Sequence, residues 1–444
     1  MTRTNKRLLG TLLLVGLAGP VLAAQDLAES YRQALAGDPQ LAAARAQLRA
    51  DRERLPQARA LFLPQVGLEA GASQVWQDID GVPPGLVPDE YDTSSYGVGL
   101  TQPLFRKESF TLYAQAQQLI DQAELNYARS RQELGLRVAQ AYFRVLQAED
   151  ALQSFEAELA AISQQLQRAK RAFEVGTATV ADVNDAQARF DLTQARRLQA
   201  RHELQLAREA LRRITGAPVG ALAPLAADFA PVLPEPASAA AWARRAEQAN
   251  LDVRLAQTAF ALARDEVERQ RAQRYPKIDL VARYGQQNGV LLGGGQPTDV
   301  TQRSIAVELS MPLYSGGAVS ARIREARAGQ DRALEQVRAA VRAAGLAAET
   351  AFLQLTASLE QVRALEQALK SIRINEQSTQ RGVELGLRTT LDLLDIQRER
   401  FAAERDLAAA RYGYLLNYLQ LQAAVGNAVS PEAIDTVNQF LAAE

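Results

Sequence analysis

Two long segments of the chain carry hydrophobic residues in a seven-residue repeat and contain no proline. They run over 107–173 and 317–383, and their apolar positions are separated alternately by three and four residues. This spacing is typical of a left-handed coiled coil, so we predict helices over about 107–174 and 317–384, each about 100 Å long. Ordinary amphipathic bundle helices are the alternative. The repeating positions are Leu134, Val138, Ala141, Val145, Ala148, Leu152, Phe155, Leu159, Ile162, Leu166, Ala169 and Phe173, then Leu334, Val337, Val341, Ala344, Ala348, Ala351, Leu355, Ser358, Val362, Leu365, Leu369 and Ile372.

In front of each long helix, hydrophobic and polar residues alternate with a period of two. In the first such segment, Val66, Leu68 and Ala70 alternate with Gly67 and Glu69. Alternation of this kind predicts β-strands, and a soluble β-domain is the alternative setting for them. The predicted strands cover about 64–76, 94–104, 277–285 and 301–313, with loops rich in Gly and Pro over 77–93 and 286–300.

The chain contains one sequence pattern twice. The segment EVGTATVADVNDA at 174–186 is matched by ELGLRTTLDLLDI at 384–396. Because this period is far longer than that of a solenoid repeat, we predict one architecture built twice. The predicted divisions are a first repeat over 24–216, a proline-rich connector in the equatorial region over 217–245, a second repeat over 246–426 and a C-terminal tail over 427–444.

Each long helix is followed by a glycine and then by a second helix. Gly176 and Gly386 suit the left-handed conformation in which helices often end, and Thr179 and Thr389 suit the N-cap of the next helix. Each repeat is therefore predicted to end in a helical hairpin with its tip at the glycine. The returning helices cover about 180–214 and 390–425, and the helices that open the repeats cover 38 to about 60 and 250 to about 274.

The first 23 residues have the features of a secretory signal peptide. Arg3, Lys6 and Arg7 precede a short apolar run, and small residues follow it at a cleavage site after Ala23 or Ala24. The run is too short to span a membrane, so we predict residues 1–23 to be a removed signal. A buried N-terminal helix is the alternative.

Composition excludes several classes of function. The 50 Lys and Arg residues balance 51 Asp and Glu residues, which gives no general attraction to nucleic acid. The chain has no Cys and a single His, His202, so disulfides, thiolate chemistry and His-rich metal sites are excluded. Since no P-loop or nucleophile elbow is visible either, we predict a protein that is not an enzyme and binds no cofactor or metal.

Four strands per chain are too few to form a closed sheet in a membrane. Open edges in lipid would leave backbone groups unpaired, and the smallest natural barrels have eight strands. Two copies would give a barrel filled by side chains, whereas three copies would give twelve strands around a lumen. Aromatic residues near the loop ends of the strands suit a membrane-interface girdle, and they are Trp76, Tyr91, Tyr96 and Tyr284.

The tandem halves, the segments TQPLF and SMPLYSGG at strand ends, and the two tip motifs resemble the TolC family of outer-membrane channels over essentially the whole mature chain. The resemblance implies a homotrimer in the outer membrane, with a 12-stranded β-barrel on a 12-helix α-barrel that crosses the periplasm. It also implies two partners, a periplasmic adaptor protein and an inner-membrane ABC or proton-driven transporter. Without a lipid-modified Cys, the chain is similar to the non-lipidated branch, which serves type I secretion or multidrug efflux.

The resemblance also implies roles for residues at the tips. Asp392 and Asp395 match the carboxylates that ring the periplasmic entrance, and Arg388 and Asp182 match partners in closed-state ties between neighbouring helices. Val383 stands where the family commonly has an aromatic residue, so we expect this gate to be held more loosely than is usual in the family. For the carboxylates, simple decoration of helix N-termini is the alternative. The tip residues expected to contact the adaptor are Gly176, Thr177, Gly386 and Leu387.

We therefore expect a passive, gated exit duct that carries substrate from an inner-membrane pump across the periplasm and outer membrane. A soluble periplasmic coiled-coil adaptor is the alternative from another class, because adaptors also carry long helical hairpins and a signal peptide. An adaptor would lack four alternating strands of membrane length. The sequence leaves the cargo, the particular pump and the resting state of the gate open.

Overall fold

The computed structural model describes residues 24–77, 88–226, 228–291, 297–427 and 431–442, so the predicted signal peptide lies outside the described residues. Helices dominate the described chain, and one sheet joins its two halves. The elements are α1 Leu27–Gly37, α2 Pro39–Arg52, α3 Arg54–Ala60, β1 Gln65–Trp76, β2 Glu90–Arg106, α4 Lys107–Glu174, α5 Val180–Thr215, α6 Ala239–Ala249, α7 Leu251–Ala272, β3 Lys277–Leu291, β4 Pro297–Ser310, α8 Ala318–Glu384, α9 Thr390–Ala424 and α10 Pro431–Asn438.

The four strands form one antiparallel sheet in the order β1-β2-β3-β4. Each half of the chain contributes a hairpin, and β2 pairs with β3 to join the two hairpins. On one face, large apolar side chains point away from the protein: Leu68 is 75% exposed, Val307 is 64% exposed and Ile305 is 80% exposed. Within the described residues of one chain, β1 and β4 are edge strands, so a single chain leaves an open sheet with an uncovered apolar face.

Three strands differ in extent from their predicted bounds. β2 runs over Glu90–Arg106 rather than 94–104, and β4 begins at Pro297 rather than 301. β3 continues to Leu291 rather than ending at 285, because its polar residues still pair with β2, as Asn288 does with Ser94. β4 ends at Ser310 rather than 313, since Pro312 has no backbone N–H to donate to a ladder. Strand length here follows cross-strand pairing, which the apolar alternation alone did not reveal.

The two long helices have the predicted seams. The heptad positions Val138, Val145, Leu355 and Val362 are fully buried. α4 packs along α5 and α8 along α9, which gives the two predicted hairpins, and α4 also contacts α9. Among the described residues, no helix is both long and apolar enough to cross a bilayer.

Short helices occur where the sequence analysis expected only a connector or a tail. α6 begins at Ala239, inside the predicted connector, and buries Trp242, whose indole N–H donates to the carbonyl of Pro236 at 2.8 Å. α10 lies in the predicted C-terminal tail, and α1 precedes the predicted first helix. These helices are only two to three turns long, too short for the periodicity that revealed the long ones.

The connector and both ends of the described chain pack together beside the long helices. The backbone N–H of Gln25 donates to the carbonyl of Ala221 at 2.8 Å, and that of Ala226 donates to the carbonyl of Phe440 at 2.9 Å. Tyr142 of α4 is fully buried below them, and its hydroxyl donates to the carbonyl of Ala223 at 3.0 Å. This packing ties the midsection of the helical hairpins to the connector.

Candidate functional site

The two hairpin tips have the same backbone geometry. Gly176 and Gly386 have φ values of +77° and +71°, in the left-handed region that favours glycine. The next residue in each tip bonds back to the ending helix: the N–H of Thr177 donates to Ala172 and that of Leu387 to Gly382, both at 2.8 Å. This six-to-one bond is the Schellman arrangement, so each glycine ends its helix and reverses the chain.

A capping box begins each returning helix. The carboxylate of Asp182 accepts from the N–H of Thr179 at 2.8 Å, and that of Asp392 accepts from the N–H of Thr389 at 2.9 Å. Each threonine hydroxyl in turn accepts from the N–H of its aspartate. These bonds hold the pKa of both carboxyls below the ordinary value, and Arg388 lowers that of Asp392 slightly further. Both aspartates are therefore fixed at the tips in the ionised state.

Asp395 is the tip carboxylate that makes an ion pair across two helices. Its Oδ1 lies 2.8 Å from the guanidinium of Arg189 on α5 and 3.6 Å from that of Arg398 on its own helix. The Arg189 side chain is only one-quarter exposed. The structure thus joins the hairpin of the first repeat to that of the second through a residue that the sequence analysis did not single out.

Arg388 lies against the end of α8. Its N–H donates to the carbonyl of Gly382 at 3.1 Å, and a side chain at Gly382 would approach its Cγ to 2.7 Å. Within the described residues of a single chain, the ion pairs do not include one between Arg388 and Asp182.

A second link between the hairpins lies farther from the tips. Glu158 of α4 is 2% exposed, and its carboxylate lies 3.3 Å from the guanidinium of Arg405 on α9. Arg405 also donates to the hydroxyl of Ser154 at 2.9 Å and stacks on the ring of Phe155 at 4.2 Å. Because both charges are largely removed from water, this pair resists separation of α4 from α9.

The extreme end of each tip exposes apolar side chains. Val175 is 74% exposed, Leu385 is 73% exposed and Leu387 is 78% exposed. Gly176, Thr177 and Gly386 are exposed beside them. Small and apolar exposed residues around a reversed chain form a surface on which another protein could pack closely.

The face of the sheet opposite the exposed apolar residues is polar. Arg106 and Asp279 form a two-bond pair at 2.8 and 2.7 Å near the helices, and Arg283 lies 3.8 Å from Glu308 on the neighbouring strand. Glu69 is exposed on the same face. Among the described residues, no group of acidic and histidine side chains is arranged to hold a metal ion. The arrangement suits a water-filled surface rather than a reaction site.

One difference between the duplicated tips could have revealed the missed ion pair. Arg189 in the first repeat corresponds to Glu399 in the second, so the charge reverses where the rest of the pattern is kept. A reversal of this kind indicates that the two positions face different surroundings. The partner itself could not be found from one sequence, because Arg189 and Asp395 are 206 residues apart.

Three comparisons agree on what this chain is similar to. The family model described as outer membrane efflux protein matches residues 30–217 and 242–427. The outer membrane protein TolC of Vibrio cholerae is 33% identical over 423 residues, covering 95% of both chains. The alkaline protease secretion protein AprF of Pseudomonas aeruginosa is 32% identical over 415 residues, covering 91% of this chain and 85% of AprF.

Solved structures give the same fold at lower identity. The CmeC outer membrane channel of Campylobacter jejuni superposes with a TM-score of 0.76 at 14% identity, covering 93% of this chain and 89% of CmeC. The MtrE outer membrane channel of Neisseria gonorrhoeae, solved in its open state, superposes with a TM-score of 0.72 at 21% identity, covering 92% and 90%. At these identities, the likeness concerns the fold.

Proposed function

This chain belongs to the outer membrane efflux protein family, and from that premise we propose that three copies close one passive duct in the outer membrane. The protein is an outer-membrane exit duct rather than an enzyme, as the resemblance predicted. The alternative of a soluble adaptor is wrong, because the chain carries the four strands that an adaptor lacks and matches the channel family along both repeats.

The open sheet is the observation that supports a trimer. A four-stranded sheet with an apolar face and two free edges must find further strands before it can lie in lipid. Three sheets of four strands give twelve, enough to enclose a lumen lined by the polar face. The TolC-family relatives are trimeric channels of tripartite systems, which supports this number.

Outer-membrane fractions provide a direct test of the trimer. We expect the mature chain to run as a trimer on gels when the sample is not heated and as a monomer after heating. Washing with concentrated salt should leave it in the membrane. A chain released by salt, or one that migrates as a monomer without heating, would contradict the proposed assembly.

We further propose that the hairpin tips meet the rest of the export system. The exposed apolar residues Val175, Leu385 and Leu387, with Gly176 and Gly386 between them, would pack against a periplasmic adaptor protein. An inner-membrane transporter, of the ABC or the proton-driven type, would supply the energy, because the duct has no chemistry of its own.

For the cargo we propose a polypeptide. AprF, a protease secretion protein by name, is 32% identical over 91% of this chain. BepC, an outer membrane efflux protein of Brucella suis by name, is 27% identical over 90% of it. A strain that lacks this chain should lose one or more proteins from its culture supernatant. Unchanged secretion together with increased drug sensitivity would favour small-molecule efflux instead.

The narrowest point of the duct is proposed to lie at Asp392 and Asp395. They are three residues apart and so lie on nearly the same helix face, and three chains would bring six carboxylates around one axis. A ring of carboxylates attracts cations and repels anions. The capping bonds of Asp392 lower the pKa of its carboxyl, which favours the charged form, whereas Arg189 offsets part of the charge of Asp395.

Removal of both carboxylates should abolish the selectivity of the pore. In planar bilayers, we expect the double variant Asp392→Ala with Asp395→Ala to lose its preference for cations and its block by multivalent cations. The matched control is Asp182→Ala, which removes the equivalent cap of the first repeat. It should keep selectivity and block, and only its conductance should rise, because the proposed pair with Arg388 is lost with it. If the double variant keeps selectivity and block, the ring lies elsewhere.

Loss of the proposed ion pairs should open the entrance more easily and leave its ion selectivity unchanged. Arg388→Ser removes the tie to Asp182 of a neighbouring chain, and Arg189→Gln removes the pair with Asp395 seen within one chain. We expect each variant to raise single-channel conductance while cation selectivity persists, because the carboxylates remain. Conductance equal to wild type in the combined variant would show that neither pair holds the entrance closed.

A further inference from the structure

Arg303 is a cation on the apolar face of the sheet. Along β4 it shares its face with Ile305, Val307 and Leu309, since successive side chains of a strand point to opposite sides. These three side chains are 80%, 64% and 68% exposed. If the sheet closes as proposed above, this face meets lipid, so Arg303 lies on the membrane side of the barrel rather than in its lumen.

The position of Arg303 along the strand places it at the outer border of the apolar band. β2 continues directly into α4, so the ends of the strands near Arg106 and Ser310 are the periplasmic ends. Arg303 is seven residues from Ser310, about 23 Å along the strand, which is a height of about 16–19 Å when the strand is tilted by about 35–45°. Exposed apolar residues continue beyond Ser310 at Met311 and Leu313, so the apolar band begins on the periplasmic side of Ser310. Because such bands are about 25 Å tall, Arg303 lies at the outer border of the band, near the outer-leaflet headgroups.

The neighbours of Arg303 change from apolar to polar at this level. Tyr284 lies directly opposite it in the register with β3, and the guanidinium carbon lies 5.5 Å from the centre of the Tyr284 ring. In the next row outward, the Tyr96 hydroxyl hydrogen-bonds to Gln286, which pairs with Thr301. Aromatic rings with polar tips are typical of the membrane interface.

Arg303 differs from the arginine of the polar face in making no ion pair with the described residues of its own chain. Arg283 lies 3.8 Å from Glu308, whereas the ion pairs found over the described strands do not include Arg303. The guanidinium lies over the Tyr284 ring, and no carboxylate among the described residues forms an ion pair with it, so its N–H groups can bind an anion. A guanidinium edge matches phosphate oxygens in two-bond geometry.

We propose that Arg303, Tyr284 and the adjacent Tyr96 form a binding site for the phosphate group of an outer-leaflet lipid, one site on each chain. The inference rests on the proposed closure of the barrel, because closure determines which face meets lipid. The lipid is a phosphorylated glycolipid, since its phosphate and its acyl chains would meet the cation and the apolar residues below it at the same time. The site would fix the height of the barrel in the membrane.

The test counts the lipids retained by purified trimers. Trimers in nanodiscs of phosphatidylcholine with a small fraction of bisphosphorylated lipid A are extracted, washed in neutral detergent and weighed by native mass spectrometry. Arg303→Gln should retain about fivefold less lipid A than wild type, the effect of removing one basic residue at a membrane surface. The control Arg283→Gln, on the polar face, should retain the wild-type amount.

Two further arms identify the ligand. The wild-type protein should retain dephosphorylated lipid A as poorly as Arg303→Gln retains phosphorylated lipid A. Inorganic phosphate added to the wash should not displace the bound lipid. The proposed site would be overturned if Arg303→Gln retained as much phosphorylated lipid A as wild type does. It would also be overturned if wild type retained dephosphorylated and phosphorylated lipid A equally. Trimer yield, measured separately on the same samples, tests the duct and not the lipid site.

Discussion

An arginine at position 307 should prevent the chain from assembling in the outer membrane. Val307 is 64% exposed on the apolar face of β4, between Ile305 and Leu309. A charged side chain facing lipid near the bilayer midplane costs about 2–4 kcal/mol per chain. Because a trimer would carry three such charges, we expect the yield of trimers in outer-membrane fractions to fall by at least about tenfold.

The neighbouring position provides a matched control. Ala306 lies on the opposite face of the same strand, where polar and charged residues such as Glu308 are found. Ala306→Arg adds the same side chain in the lumen and should leave trimer yield close to wild type. Normal yield of Val307→Arg, or an equal loss in both variants, would show that the two faces are misassigned.

Bulky residues at the two tip glycines should abolish export while leaving trimers in the membrane. Gly176 and Gly386 have positive φ, a conformation that β-branched residues rarely adopt, and no atom lies within 4 Å of the position of an added Cβ. A valine at both sites would therefore distort the exposed turns without disturbing the packed core. We expect secretion by a strain that carries this double variant to be lost.

Asparagine is the matched substitution for these turns. It tolerates the left-handed conformation far better than valine does. The variant with asparagine at Gly176 and Gly386 should keep most of the export if the shape of the turn is what the partner recognises. Export that persists with valine at both tips would place the contact with the adaptor elsewhere on the molecule.

The long elements could be predicted because their patterns repeat many times. The seam of α4 contains a dozen apolar positions, and the same rhythm recurs in α8, so local exceptions such as the exposed Phe173 do not obscure it. The tip glycines and their threonine caps follow from local backbone chemistry that needs no distant partner.

The contacts between repeats could not be predicted from one sequence. Glu158 is a charged residue that the heptad pattern gives no reason to bury, and its burial depends on Arg405 of a helix 247 residues away in sequence. The pair of Arg189 and Asp395 is equally remote. Local pattern determines which face of a helix is apolar, but the choice of charged partners depends on how the two hairpins pack against each other.

Cysteine cross-linking between the sheet edges tests the closed trimer most directly. The natural chain has no Cys, so introduced pairs are the only thiols present. Ile305→Cys in β4 is combined in turn with Val66→Cys, Leu68→Cys or Ala70→Cys in β1, because the register between chains is not set by one chain. β1 and β4 lie at opposite edges of the sheet, so any link must join two chains.

The control pair is Leu100→Cys with Ala282→Cys, which are register partners within one chain and should give only monomers on a denaturing gel. For at least one edge pair, oxidation of intact outer membranes should give linked dimers and trimers, with nothing larger. A ladder that continues beyond three chains, or no link between chains for any of the three pairs, would contradict the closed twelve-stranded barrel.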